Sequence, residues 1–268
     1  VAYLRMIGWI ATATLVVYLG LVAAAWAMQS RMIYPAPPVS TELPDGFERV
    51  TYRTADGLDL VAGYRPARDG MPTVLFFHGN GTHWQSSAWV TRDLAGHGYG
   101  VLAAEYRGYG GNPGVPGEAG LYADGRAARA YLHDRGVAAD EIVLVGNSIG
   151  SGVATQLATE IEPLALVLVS PFDSLAATAA RKVRWLPVKM LLRDRYDNRA
   201  KLPAVAAPVL ILHGGADTLI APEQAQALAD ARPGTELVIH PGRGHDLIAD
   251  DEVQSRIASF VAELRTDR

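Results

Sequence analysis

The amino-acid sequence predicts an α/β domain with a mostly parallel central sheet and helices on both of its faces. Two observations carry this reading. Residues 73–77, 101–105, 142–145, 164–169, 209–212 and 237–239 are short, nearly continuous apolar runs, the pattern of strands buried on both faces. Between them lie stretches of helical character at 122–134, 148–159, 222–231 and 252–264. Strands alternating with helices imply crossover connections and a parallel sheet. At 222–231 proline stands in the first turn, where a missing N–H costs nothing. At 252–264 Val253, Ile257, Phe260, Val261 and Leu264 recur at helical spacing. Upstream, residues 50–53 and 60–65 flank Ala55-Asp56-Gly57 and read as a hairpin.

Composition fits one catalytic-sized domain. The chain has 268 residues, 49% of them hydrophobic and 19% charged, a globular balance. A net charge of -4 argues against a nucleic-acid partner. The chain has no cysteine, which excludes disulfides, thiolate metal sites and a cysteine nucleophile.

The first 30 residues form a segment of their own. No charged residue lies between Arg5 and Arg31, and about 20 apolar residues suffice to cross a bilayer. Trp9 and Trp26 stand near its ends, where interfacial rings settle. Ala25 and Ala27 resemble a signal-cleavage site, but the run exceeds the roughly 7–15 residues of a signal core. A single-pass anchor over 1–30 is therefore expected, with membrane lipid as its partner. Arg5 and Arg31 nearly balance, and the amino group of Val1 tips the catalytic domain towards the outer face. Residues 31–43, with Tyr34-Pro35-Ala36-Pro37-Pro38, read as a stiff linker. The catalytic domain is expected over 44–268. Within it, 172–207 is too long for a simple crossover and reads as a short helical cap insertion above the strand C-terminal ends. Residues 181–201 carry Arg181, Lys182, Arg184, Lys189, Arg193, Arg195, Arg199 and Lys201 against Asp194 and Asp197. Beside an anchor, such a basic cap suits either a solvated surface or anionic lipid.

The chemistry centres on Gly146-Asn147-Ser148-Ile149-Gly150, a G-x-S-x-G motif between a predicted strand and a predicted helix. In that setting a sharp turn exposes the serine hydroxyl at a helix start, and small flanking residues avoid clashes. Ser148 is the expected nucleophile. Three histidines follow it, and His245 is favoured as base because it lies in a loop between the last strand and the last helix. His213 and His240 sit at strand ends. Asp217, just after the run at 209–212, is the expected acid, with Asp173 as runner-up. The oxyanion hole is expected from the backbone N–H groups of Ile149 and Asn80, the latter in His78-Gly79-Asn80-Gly81. His78 reads as a support for that turn. No H-E-x-x-H, dinucleotide fingerprint or P-loop lysine motif occurs, so neither cofactor nor metal is expected. The glycine-rich stretch from Arg107 to Gly114 lacks the lysine and spacing of a phosphate loop and reads as structural.

With these motifs in order, the chain resembles the Bem46-like group of membrane-anchored α/β-hydrolases, related to animal α/β-hydrolase domain-containing proteins of types 13 and 17. Tyr106-Arg107-Gly108-Tyr109-Gly110, Ser170-Pro171-Phe172-Asp173-Ser174, His213-Gly214-Gly215-Ala216-Asp217 and Gly244-His245 carry the resemblance alongside the two motifs above. It implies an α/β-hydrolase fold, an N-terminal anchor and a Ser–His–Asp triad on Ser148, His245 and Asp217. It implies a small-molecule or acylated substrate, cleaved as an ester, a thioester or, peptidase-like, an amide. A non-catalytic, membrane-tethered binding protein is the rival reading, against which the intact triad stands. Asn112 occupies a place where the resemblance implies serine.

Overall fold

Eight strands form one sheet in the order β1-β2-β4-β3-β5-β6-β7-β8 in the computed structural model, which describes residues 2–266. Helix α1 (Ala2–Ile33) leads into β1 (Glu48–Arg53) and β2 (Asp59–Arg65), an antiparallel hairpin. Then follow β3 (Thr73–Phe77), α2 (Trp84–Val90), α3 (Arg92–Gly96), β4 (Gly100–Ala104), α4 (Glu118–His133), β5 (Ile142–Asn147), α5 (Gly150–Ala158) and β6 (Ala165–Val169). The insertion holds the short helices α6 (Leu175–Lys182), α7 (Val188–Leu191) and α8 (Asn198–Lys201). The chain closes with β7 (Val209–Gly214), α9 (Pro222–Ala231), β8 (Glu236–His240) and α10 (Asp251–Thr266). From β4 to β8 every pairing is parallel, and β2 joins β4 antiparallel. This is the α/β-hydrolase fold.

The apolar runs of β3 to β7 are buried strands because both of their faces are covered; the run at 237–239 differs, since β8 is the edge strand and none of its residues is buried. Leu75, Phe77, Leu144, Leu166 and Leu168 point into a core shared with Leu121 and Ala128 of α4, Val153 and Leu157 of α5, and Leu228 of α9. Their alternates Val74, Phe76, Val143, Val145 and Val167 enter a second core with Trp84 of α2, Leu94 of α3, and Val253, Ile257 and Phe260 of α10. Period-two alternation of strand side chains thus builds two apolar layers from one run. All five positions of β3, β4 and β6 are buried.

Two details were not anticipated. Helices α2 and α3 fill the connection from β3 to β4, with His83 Nδ1 capping α2 by accepting from Ser86 N. Asn112 proves to be a backbone mimic: its Oδ1 accepts from Val61 N at 2.8 Å and its Nδ2 donates to Val61 O at 3.1 Å. A serine hydroxyl is too short and too small to fill both roles.

The glycine-rich loop is held by Arg107. Its guanidinium bonds both oxygens of Asp56, at 2.7 and 3.0 Å, and Asp124 Oδ1 at 2.9 Å. Arg107 and Asp124 are buried. Arg107→Met would strand the Asp124 carboxylate without its counter-charge. Removing one partner of such a buried pair costs about 3 kcal/mol, to be read as a lowered midpoint of chemical denaturation in detergent micelles.

Helix α1 is 32 residues long and apolar enough to cross a membrane. Most of it is exposed, but its later turns dock on the insertion. Tyr18 Oη donates to Trp185 O at 3.2 Å, and the Arg193 guanidinium lies 4.0 Å from the Trp26 ring centre. Buried Gln29 accepts from Arg193 N at 2.9 Å. Just beyond the helix, Tyr34 Oη donates to Asp194 Oδ2 at 2.8 Å. Val1, whose amino group entered the orientation argument, lies outside the described residues.

Candidate active site

Strand β5 delivers Ser148 into a turn so tight that its φ is 51°, a conformation that costs a non-glycine residue energy and persists only where the surroundings enforce it. Those surroundings are close-packed. Ser148 N donates to Val169 O at 3.0 Å. A Cβ at Gly150 would lie 2.1 Å from the Phe77 carbonyl oxygen, so only glycine permits the crossing of β3 and α5 at this point.

Three strand ends converge on the serine. Asp217 follows β7, and His245 lies in the loop between β8 and α10. His245 Nε2 is 3.0 Å from Ser148 Oγ, and His245 Nδ1 is 2.7 Å from Asp217 Oδ2. A carboxylate acceptor requires the proton on Nδ1, which leaves Nε2 to accept from the Ser148 hydroxyl. The other Asp217 oxygen accepts from Leu219 N at 2.8 Å and Ile220 N at 2.9 Å. Burial disfavours the charge of Asp217. Hydrogen bonds from His245 and from the Ile220 and Leu219 amides outweigh it and hold the carboxyl below the usual carboxylate range.

Burial pushes the rival His213 down, and its Nε2 bonds the Ile220 carbonyl at 2.9 Å and lies 3.4 Å from Asp217 Oδ2. Asp173 accepts from Ser174 N at the start of α6.

The loop after β3 faces the serine: a Cβ at Gly79 would stand 3.4 Å from Ser148 Cβ. The Asn80 side chain is clamped from two sides. Its Nδ2 donates to Ile33 O at 2.6 Å and its Oδ1 accepts from Tyr109 Oη at 3.0 Å. The backbone N–H groups of Asn80 and Ile149 have no acceptor among the described residues. Beneath the loop, the buried His78 ring pairs with Glu105, Nε2 to Oε1, at 2.6 Å. Glu105 also accepts from Trp84 N at 2.9 Å.

Sequence reasoning missed Glu105 and Ser170. Ser170, at φ 46°, donates from Oγ to the His245 carbonyl at 2.8 Å and so ties the histidine loop to the end of β6. Its place directly after an apolar run was the available signal. No group of three or more potential metal ligands occurs among the described residues.

Comparison with known proteins agrees with this architecture. The family model described as "Serine aminopeptidase, S33" matches residues 71–193. An uncharacterized protein of Mycobacterium tuberculosis is 40% identical over 236 residues, covering 85% of this chain and 84% of that protein. Human α/β hydrolase domain-containing protein 17B is 30% identical over 230 residues, covering 84% and 78%. Among solved structures, an esterase of Pyrococcus furiosus superposes with a TM-score of 0.70 at 23% identity, covering 85% of this chain and 98% of its own. The chain belongs to the α/β-hydrolase family that includes α/β hydrolase domain-containing protein 17B.

Proposed function

We propose that this protein is a membrane-anchored serine hydrolase that cleaves a carboxylic ester or thioester through an acyl-enzyme on Ser148. The observation that carries the reading is the unbroken hydrogen-bonded chain from Ser148 through His245 to Asp217, set against two unengaged amides. The esterase likeness and the length and apolarity of α1 support it.

The mechanism follows from the geometry. Ser148 Oγ attacks the substrate carbonyl carbon while His245 Nε2 takes its proton. The carbonyl oxygen becomes an oxyanion held by the Asn80 and Ile149 N–H groups. Losing one such donor costs about 100–1,000-fold in turnover. Asp217 stabilises the imidazolium and fixes the ring. On collapse, the C–O or C–S bond breaks and His245 returns the proton to the leaving alcohol or thiol. Water then enters, His245 takes its proton, and hydroxide attacks the acyl-enzyme. The carboxylic acid leaves and Ser148 regains its hydrogen. Helix α1 holds this site at a bilayer surface.

The test is a panel of p-nitrophenyl esters of rising chain length, an acyl thioester and an amino-acid p-nitroanilide. Turnover of esters or thioesters with little of the amide is expected. Preferential amide cleavage would replace the reading with a peptidase-like one. No turnover of any member would favour a tethered binding protein.

A further inference from the structure

Between the last turns of α1 and the insertion runs an apolar crevice of about 120 Å³, open along one side. Ala25, Met32 and Ile33 form the helix wall, and Ala179, Val183 and Leu191 face them. Gln29, also in the wall, spends its amide on backbone: Nε2 donates to Trp26 O at 2.9 Å and Oε1 accepts from Arg193 N at 2.9 Å. A ligand in this crevice would therefore meet hydrocarbon, and the matching ligand is hydrocarbon.

We infer that the crevice is the acyl-chain subsite of the Ser148 reaction, filled from the bilayer by the hydrocarbon tail of a lipid-phase ester or thioester; this rests on the hydrolase reading above. Two observations fix its ends. The inner end adjoins the loop after β3, because Ile33 lines the crevice and its carbonyl accepts from the Asn80 side chain, while Gly81 N donates to Pro35 O at 3.1 Å. In the mechanism proposed above, Asn80 is the residue whose amide holds the oxyanion. The outer end meets the membrane. About 20 residues span the hydrocarbon core, so a span starting after Arg5 runs to the neighbourhood of Ala25. The Tyr18–Trp185 contact, rings 6.5 Å apart, holds the tip of the insertion against that same span. Trp185 and Met190 are large apolar side chains of the insertion that stand exposed. From Ala25 to Ile33 the helix rises about 12 Å at 1.5 Å per residue, the reach of an extended chain of roughly ten carbons with bonds near 1.5 Å. The anchor is thus one wall of the substrate site, and tail length is read along its last turns.

The test compares the full chain in lipid nanodiscs with Ala25→Trp and Ala179→Trp, which fill the crevice from opposite walls. Ala27→Trp, exposed on another face of α1, is the control. Either filling variant is expected to lower kcat/KM for p-nitrophenyl decanoate at least about tenfold, through lost burial of the tail. The loss for p-nitrophenyl butyrate should be smaller, so that the decanoate-to-butyrate ratio falls at least about fivefold, and the control should change neither ester. An unchanged decanoate-to-butyrate ratio in both filling variants would overturn the inference. If the unsubstituted protein turns over neither ester, the hydrolase reading fails separately. A diazirine-bearing fatty acid then tests the crevice alone. Crosslinks on peptides covering 25–33 and 179–192 that Ala25→Trp removes are expected, and crosslinks elsewhere would reject the site.

Discussion

Ser148→Ala lowers kcat for p-nitrophenyl butyrate by about a million-fold, the scale seen when a triad nucleophile is removed. Residual turnover comes from the oxyanion donors and substrate positioning alone. The loss falls on kcat because, in the proposed mechanism, Ser148 enters covalent chemistry and contributes little to ground-state binding. The site tolerates the change: alanine keeps the Cβ that packs near Gly79 and removes only the hydroxyl bonded to His245. The φ of 51° is enforced by neighbours and not by the hydroxyl, so the melting temperature in detergent should hold or rise slightly. A kcat within tenfold of the unsubstituted protein would remove Ser148 from the mechanism.

Asp217→Asn is expected to lower kcat by about 10,000-fold with little change in fold. An amide at this position can donate to His245 Nδ1, which drives the ring to the tautomer with its proton on Nε2. That nitrogen then cannot accept the Ser148 proton. The same residue has a stability signature with a definite sign. Its carboxyl lies below the usual range in the folded protein, against about 3.9 when unfolded. Its contribution is therefore fully present above about 3.9 and is lost as pH falls through the lower folded value. The stability gap between the protein and its Asp217→Asn variant should be constant through neutral pH and shrink below about pH 4. A gap that stays constant into strong acid would mean that the carboxylate is not held by these bonds.

The fold was legible because its signals are local and redundant. Each buried parallel strand is a continuous apolar run, and the helix from Pro222 to Ala231 begins at the proline that marks its first turn. Helices α2 and α3 were not legible. Their buried residues Trp84, Ala88, Leu94 and Ala95 are sparse, and Thr91 ends the first helix by bonding back to Ser87 O at 2.8 Å. The joining of Ser148, Asp217 and His245 was expected from chain order, since the parallel topology delivers successive strand ends to one edge. Glu105 escaped notice because a carboxylate at the end of an apolar run looks like an exposed terminus, whereas it is buried beneath His78. The docking of α1 was also hidden. Composition marks a span as apolar, but only tertiary structure shows that Tyr18, Trp26 and Gln29 meet the insertion. The helix continues to Ile33, past the expected start of the linker.

The central claim is that Ser148 is the nucleophile activated by His245, and covalent labelling tests it most directly. The full chain in detergent is treated with a fluorophosphonate, and the modified peptide is identified by mass spectrometry. One phosphonyl adduct is expected, on Ser148, absent from Ser148→Ala and strongly slowed in Asp217→Asn. Undiminished labelling of Ser148→Ala, or an adduct on another residue of the native protein, would contradict the account.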